Sequence, residues 1–245
     1  MNTDEPTNQP PSPVAKNDQL QARKVIAGAI MYVISQRNLF LKALLVPGCV
    51  LIGIAVLTDT LATQQSPLLL VLFTANLLVQ TIFAVISHRL TLIGSTAVGS
   101  WFSFDWSRRE SLFLLRVLAC AFLTGIPAAF ALSIPNVGIP IAILLAIILI
   151  TRLSLIFPAT AMNHQTSISQ AWQMSRRHQI PLFGIVVLFP LIFVLLPAWL
   201  LSQLPYATIL SSLLSMVGTI FTLAAVSLAY REVIRIDKIQ SVSIT

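Results

Sequence analysis

The stretch from Ala43 to His88 reads ALLVPGCVLIGIAVLTDTLATQQSPLLLVLFTANLLVQTIFAVISH and contains neither Lys nor Arg. It holds two long apolar runs, separated by a short polar segment that begins near Asp59. A helix needs about 20 apolar residues to cross the hydrocarbon core of a bilayer. The stretch therefore predicts two membrane-spanning helices joined by a tight turn.

Two further stretches, Val117–Thr151 and His178–Tyr230, also lack Lys and Arg, and the 15 basic residues of the chain all lie outside the three stretches. Basic residues accumulate on the cytoplasmic side of membrane proteins. The bias predicts a multi-pass protein of the bacterial inner membrane with both termini in the cytoplasm. Because the net charge of +7 is spread over short connections between apolar runs, we expect membrane lipids as partners and not nucleic acid.

The predicted fold is all-α, a polytopic bundle of six transmembrane helices. The predicted spans are Leu39–Thr58, Pro67–Ile86 with a helical continuation to Ile93, Ser111–Ser133, Gly138–Phe157, Ile180–Leu201 and Tyr206–Tyr230. Residues 1–22 are polar and proline-containing, which predicts a disordered cytoplasmic tail. Residues 23–238 form one membrane domain in this interpretation, and residues 239–245 a short cytoplasmic tail.

Three segments that precede the hairpins mix apolar, aromatic and basic residues: Lys24–Arg37, Thr96–Arg109 and Thr166–Arg177. Each predicts an amphipathic helix at the cytoplasmic membrane surface. Each also carries an S-x-R motif, with an aromatic residue three positions before the Ser. These aromatic residues, predicted as interfacial anchors, are Tyr32, Phe104 and Trp172. The recurrence of the motif before each hairpin predicts a threefold pseudo-repeat.

An Arg also follows each hairpin. With the Arg of each S-x-R motif, these residues suggest a basic ring at the cytoplasmic face that binds anionic lipid headgroups or a phosphate group. The members of this ring are Arg37, Arg89, Arg109, Arg152, Arg177 and Arg231. The alternative is that their long side chains only reach the headgroup layer and orient the bundle.

Polar residues inside the spans are few. Asn76 and Gln80 lie one helical turn apart on one face of the second span, and Ser211 and Ser215 share a face of the sixth. A cavity that joins these faces would favour a transporter, whereas a packed interior would favour an organisational role. Small polar residues also commonly form hydrogen bonds between membrane helices.

The sequence contains no recognisable catalytic constellation, since no acidic residue lies in the middle of a span and no paired Asp or HExxH motif is present. We therefore expect no enzymatic activity and no cofactor. His88, His164 and His178 lie near the cytoplasmic ends of spans without acidic or Cys partners at ligand spacing. They are expected to be surface residues and not metal ligands.

The segment Arg152–Arg177 (RLSLIFPATAMNHQTSISQAWQMSRR) combines an Arg, a Pro and an A-W-x-x-S-R motif before a span. It resembles the membrane domain of glycerophosphodiester phosphodiesterases and related six-span families of bacterial inner-membrane proteins, including the YciC-like proteins. The matching residues are Arg152, Pro158, Ala171, Trp172, Ser175 and Arg176 or Arg177. The resemblance implies an integral inner-membrane protein. It does not imply the phosphodiesterase activity, which belongs to a separate soluble barrel.

Together these features predict a non-enzymatic protein that acts in membrane or envelope organisation by binding lipid or another membrane protein. The alternative is a permease-like transporter of a small solute or a lipid.

Overall fold

The computed structural model describes residues 20–62, 66–97, 106–164, 166–201, 203–204 and 207–242, and no β-strand occurs among them. The α-helices are α1 Ala22–Ser35, α2 Arg37–Ala62, α3 Leu68–Ile93, α4 Arg108–Leu132, α5 Gly138–Leu153, α6 Ile156–Ala161, α7 Ile168–Arg176, α8 Gln179–Phe183, α9 Leu196–Leu201 and α10 Ala207–Val242. Two π-helical segments, Gly184–Leu188 and Leu191–Leu195, lie between α8 and α9.

Six stretches of helix are long and apolar enough to cross a membrane, which confirms the predicted all-α six-span bundle. They are, as spans 1 to 6, Arg37–Ala62, Leu68–Thr96, Arg108–Leu132, Gly138–Ala161, Gln179–Leu201 and Ala207–Ile239. The end of the bundle at which span 1 begins and span 6 ends carries Arg37 and Arg231, and we call it the basic end. The opposite end carries Asp59 and is called the Asp59 end.

Span 6 extends further than the sequence predicted. α10 passes Tyr230 and ends at Val242, inside the segment predicted as a C-terminal tail. Its extension keeps an apolar face, because Val233 and Ile236 are buried. On the exposed side, Arg235 forms an ion pair with Glu232 one turn earlier. The helix therefore continues past the charged residue Arg231, with an apolar face packed against the bundle.

The core lies mainly at the basic end, where α1 packs against α10. Val25, Ala29 and Val33 form the buried face of α1, and the Tyr32 hydroxyl donates a hydrogen bond of 2.8 Å to the Leu90 carbonyl in span 2. Leu20, which the sequence placed in the disordered tail, is buried in the same cluster. The folded domain thus begins before residue 23, and α1 is part of the packed bundle.

Two of the three segments predicted as amphipathic helices are helical in the structure, as α1 and α7. α7 begins with a capping box between Ser167 and Gln170, which satisfies backbone N–H groups that a helix start leaves unpaired. In the third segment, residues 98–105, with the predicted anchor Phe104, lie outside the described residues. Its last part belongs to span 3, since Ser107 caps the first turn of α4.

The three S-x-R motifs have two different local structures. Ser35 and Ser175 each donate a hydrogen bond to the carbonyl of the aromatic residue three positions earlier, Tyr32 and Trp172 respectively. Ser107 instead accepts a hydrogen bond from the Arg109 backbone N–H at a helix start. The first and third motifs are thus locally alike, and the threefold pseudo-repeat stays a prediction.

Span 5 is interrupted by wide helical turns. The Phe189 N–H bonds the Gly184 carbonyl and the Leu196 N–H bonds the Leu191 carbonyl, each across five residues. A proline, Pro190 or Pro197, follows each of these turns directly. Proline cannot donate the usual hydrogen bond and its ring crowds the preceding turn, which accounts for the position of the wide turns.

Candidate functional site

A cavity of about 1130 Å³ lies among α2, α3 and α10. Most of its wall is apolar, but polar side chains from all three helices line it. These polar residues are Thr58, Asp59, Asn76, Gln80, Thr208, Ser212, Ser215 and Thr219. We call this space the interspan cavity. Its described lining residues include no His, Cys, Lys or Arg.

The interspan cavity extends from the Asp59 end deep into the bundle. At its mouth the Thr208 hydroxyl donates a 2.8 Å hydrogen bond to the Asp59 carboxylate, which links α10 to α2. At its far end lie Phe83 and Leu223. Along α3 the lining runs from Leu69 to Ala84, which at about 1.5 Å per residue is a depth of roughly 20 Å. Such a cavity covers about two thirds of a typical hydrocarbon core.

The four residues of the predicted polar path are placed differently in the structure. Asn76 and Gln80 face the interspan cavity, and Ser215 faces it from α10. Ser211 does not line it, and its hydroxyl donates to the Ala207 carbonyl of its own helix. α10 is rotated so that Ser212 replaces Ser211 on the cavity face. The path through Asn76, Gln80, Ser211 and Ser215 stays a prediction.

Sequence reasoning did not connect the residues at the mouth to this path. Asp59 was interpreted as a charge in an external turn, and Thr208 was not considered. The only signal was that Asp59 is the sole charged residue between Ala43 and His88. Its pairing with Thr208 depends on α2 and α10 being adjacent, which no local pattern encodes.

The six Arg residues of the predicted basic ring have different surroundings. Arg109 pairs with Glu110 at the start of α4, with Nε 3.0 Å from Oε1. Arg177 lines a polar pocket of about 540 Å³ at the basic end, together with Tyr230 and Asp237. Arg37 and Arg231 are exposed and Arg89 is half-buried. Whether they bind an anionic headgroup stays a prediction.

Arg152 has the most structured surroundings. Its Nη2 donates a 2.7 Å hydrogen bond to Gln179 Oε1 at the start of span 5. Its guanidinium carbon lies 5.1 Å from the centre of the Trp172 ring, within range of a cation–π interaction. Its Nε and Nη1 are buried without a hydrogen-bond partner. Arg152 and Trp172 therefore join span 4, α7 and span 5, and Trp172 is a packing partner as well as a predicted interfacial anchor.

Two of the three histidines are buried, so the expectation that all are surface residues was wrong. His88 is 0% exposed and His178 is 5% exposed, whereas His164 is exposed. His88 is enclosed between Phe113 of span 3 and Ser227 of span 6, and His178 lies near Asp237 on the extension of α10. Burial lowers the pKa of His178; Asp237 raises it and Arg177 lowers it further, by smaller amounts.

His88 connects spans 2 and 6. Its Nδ1 lies 2.7 Å from Ser227 Oγ, and the Ser227 hydroxyl also lies 2.8 Å from the Leu223 carbonyl. A hydroxyl has one proton. If it is donated to the Leu223 carbonyl, Nδ1 of His88 must carry the proton of the other hydrogen bond. Nε2 then holds a lone pair, and it has no partner in the structure.

No protein-family model, curated protein or solved structure matches the chain. The resemblance to the membrane domain of glycerophosphodiester phosphodiesterases therefore stays a prediction. The most developed feature of the bundle is the interspan cavity.

Proposed function

We propose that this integral membrane protein binds an amphiphilic molecule in the interspan cavity and does not transform it chemically. The observation that carries the proposal is that the cavity joins the polar face of span 2, with Asn76 and Gln80, to that of span 6, with Ser215. A packed interior would have supported a purely organisational role. A cavity that joins these faces favours the transporter alternative, and binding of an amphiphile is the step that a lipid-binding protein and a lipid transporter share.

The composition of the wall supports an amphiphile. Small-molecule sites in proteins are mostly apolar, have volumes of about 300–1000 Å³ and carry a few well-placed polar groups. The interspan cavity is of this kind and somewhat larger. Its hydroxyl and amide groups can form hydrogen bonds with a polar headgroup, and the apolar wall can accommodate a hydrocarbon chain.

Binding is favoured over catalysis because of the side chains present. Asp59 is the only carboxylate among the lining residues, and it lies at the mouth with Thr208 as its partner. General acid–base and nucleophilic catalysis both need a nucleophile or proton carrier held near a second group. Hydroxyl and amide groups alone supply hydrogen bonds and selectivity.

A binding measurement with matched variants tests the proposal. Native mass spectrometry of the full chain in detergent, with added phosphatidylethanolamine, should show bound lipid. The double change Asn76→Leu and Ser215→Leu should abolish most of it, since it removes two hydrogen-bonding groups and narrows the cavity between its two polar faces. Thr74→Leu is the control, because Thr74 is exposed on α3 outside the cavity. Equal lipid retention by the double variant and the control would contradict the proposal.

A further inference from the structure

A second space borders span 1 nearer the basic end. It is an apolar crevice of about 250 Å³ between the basic half of α2 and α10, lined by Leu44, Leu45 and Phe221 among others. Arg37, at the first residue of α2, is the only charged residue that lines it. We call it the basic-end crevice. Leu41 and Leu45 on its wall are exposed, so it opens to the membrane.

The basic-end crevice and the interspan cavity lie at different depths along α2, and the contact between Gly48 and Met216 lies between them. Along α2, the crevice is lined by residues between Arg37 and Leu45, and the cavity by residues between Leu51 and Ala62. Met216 of α10 lines both spaces. The wall between them is therefore thin at this point and includes the Met216 side chain.

Met216 packs directly on Gly48, which lies in the gap between the two sets of lining residues. A methyl group at position 48 would overlap the sulfur of Met216, so a larger residue there would force the Met216 side chain to move. Pro47 precedes Gly48 inside α2, and both are buried. A proline removes a helix hydrogen bond and loosens the helix there, and Met has an unbranched side chain that readily changes rotamer. The wall between the two spaces therefore consists of a flexible side chain, Met216, and a loosened stretch of helix at Pro47 and Gly48.

We propose that Met216 and Gly48 form a gate between the interspan cavity and the basic-end crevice, and that a glycerophospholipid passes through it between the two leaflets. The inference rests on the proposed binding of an amphiphile in the cavity. The acyl chains contact the apolar walls of the two spaces. The phosphate pairs with Arg37 when the lipid reaches the basic-end crevice. An Arg at the polar end of an apolar crevice matches a phosphate, with which guanidinium forms strong paired hydrogen bonds.

The test is lipid exchange between leaflets in vesicles that contain the full purified chain. A fluorescent phospholipid is placed in both leaflets, and albumin extracts the fraction that reaches the outer one. The wild-type protein should accelerate exchange relative to protein-free vesicles. Met216→Ala, which shortens the gate, should raise the rate several-fold. Leu213→Ala is the matched control on the same helix, since Leu213 is exposed and lines neither space.

Arg37→Gln is a second test variant. Because Arg37 is exposed, this substitution should not disturb the packing around Met216 and Gly48. It should lower the exchange rate several-fold and leave the leakage of a trapped soluble dye unchanged. Exchange by the wild-type protein no faster than in protein-free vesicles would overturn the gate. So would equal rates for Met216→Ala and Leu213→Ala. Neither result would affect the binding test, in which wild-type protein retains lipid and the Asn76→Leu and Ser215→Leu double variant loses it. Failure of the gate is therefore distinguishable from failure of lipid binding in the cavity.

Discussion

Replacing Ser227 with alanine should destabilise the bundle through His88. Both side chains are fully buried and lie 2.7 Å apart, on spans that are distant in sequence. Leaving a buried donor without a partner costs about 1–3 kcal/mol in proteins generally. Hydrogen bonds between membrane helices average about 0.6 kcal/mol and reach about 1.7 in double-mutant cycles. We therefore expect Ser227→Ala to lower the free energy of unfolding by about 1–2 kcal/mol.

The measurement is SDS-induced unfolding in mixed micelles, followed by circular dichroism, for Ser227→Ala, His88→Leu and the double variant. The coupling energy between the two positions should be about 1 kcal/mol. Ser211→Ala is the control, because its hydroxyl also bonds a carbonyl of its own helix. It should change the free energy of unfolding by less than about 0.5 kcal/mol, because both of its hydrogen bonds are to carbonyls of its own helix and none joins another span. If Ser227→Ala and His88→Leu add within about 0.3–0.5 kcal/mol, as independent sites do, the reasoning is refuted.

Three further predictions concern the basic end and the orientation. Arg152→Leu should lower the free energy of unfolding by about 2 kcal/mol, since it removes a charged hydrogen bond and the contact with Trp172; in a Trp172→Leu background the loss should be smaller. Because the pKa of His178 is lowered in the fold, the unfolded chain binds more protons near pH 6, so stability should fall as the pH drops below about 6.5. His178→Gln should flatten this dependence in unfolding measurements between pH 7 and 5. Reporter fusions after residues 62 and 245 should be active on opposite sides of the membrane, with residue 245 in the cytoplasm.

The sequence predicted the six spans because the hydrocarbon core imposes length and composition on each of them. Ala43–His88 shows this: its two apolar runs became spans 1 and 2 with bounds shifted by only a few residues. The end of span 6 was placed too early, since Arg231 was interpreted as a stop. Where a helix ends outside the bilayer depends on its packing partners and not on its hydropathy. Here α1 packs against α10, and Val233 and neighbouring residues are buried there.

From the sequence, the candidate site could be predicted only as separate polar faces on individual spans. The spacing of Asn76 and Gln80 predicts that they share one side of span 2, and both line the interspan cavity. The choice between Ser211 and Ser212 depends on how α10 is rotated about its axis. In this rotation α10 approaches its neighbours closely at two glycine contacts, Gly48 with Met216 and Gly218 with Val194. Such contacts join distant parts of the chain and leave no periodic signal.

The wide turns in span 5 affect which one-residue deletions the protein can tolerate. Each π-helical segment, Gly184–Leu188 and Leu191–Leu195, takes one residue more than the α-helical turn that it replaces. Loss of one codon within either segment would restore regular helix and shift the faces beyond it only slightly. The same deletion in α10 would rotate every later side chain by about 100° and remove Ser227 from His88. Among homologues, one-residue length differences should therefore accumulate in span 5 and be rare in span 6.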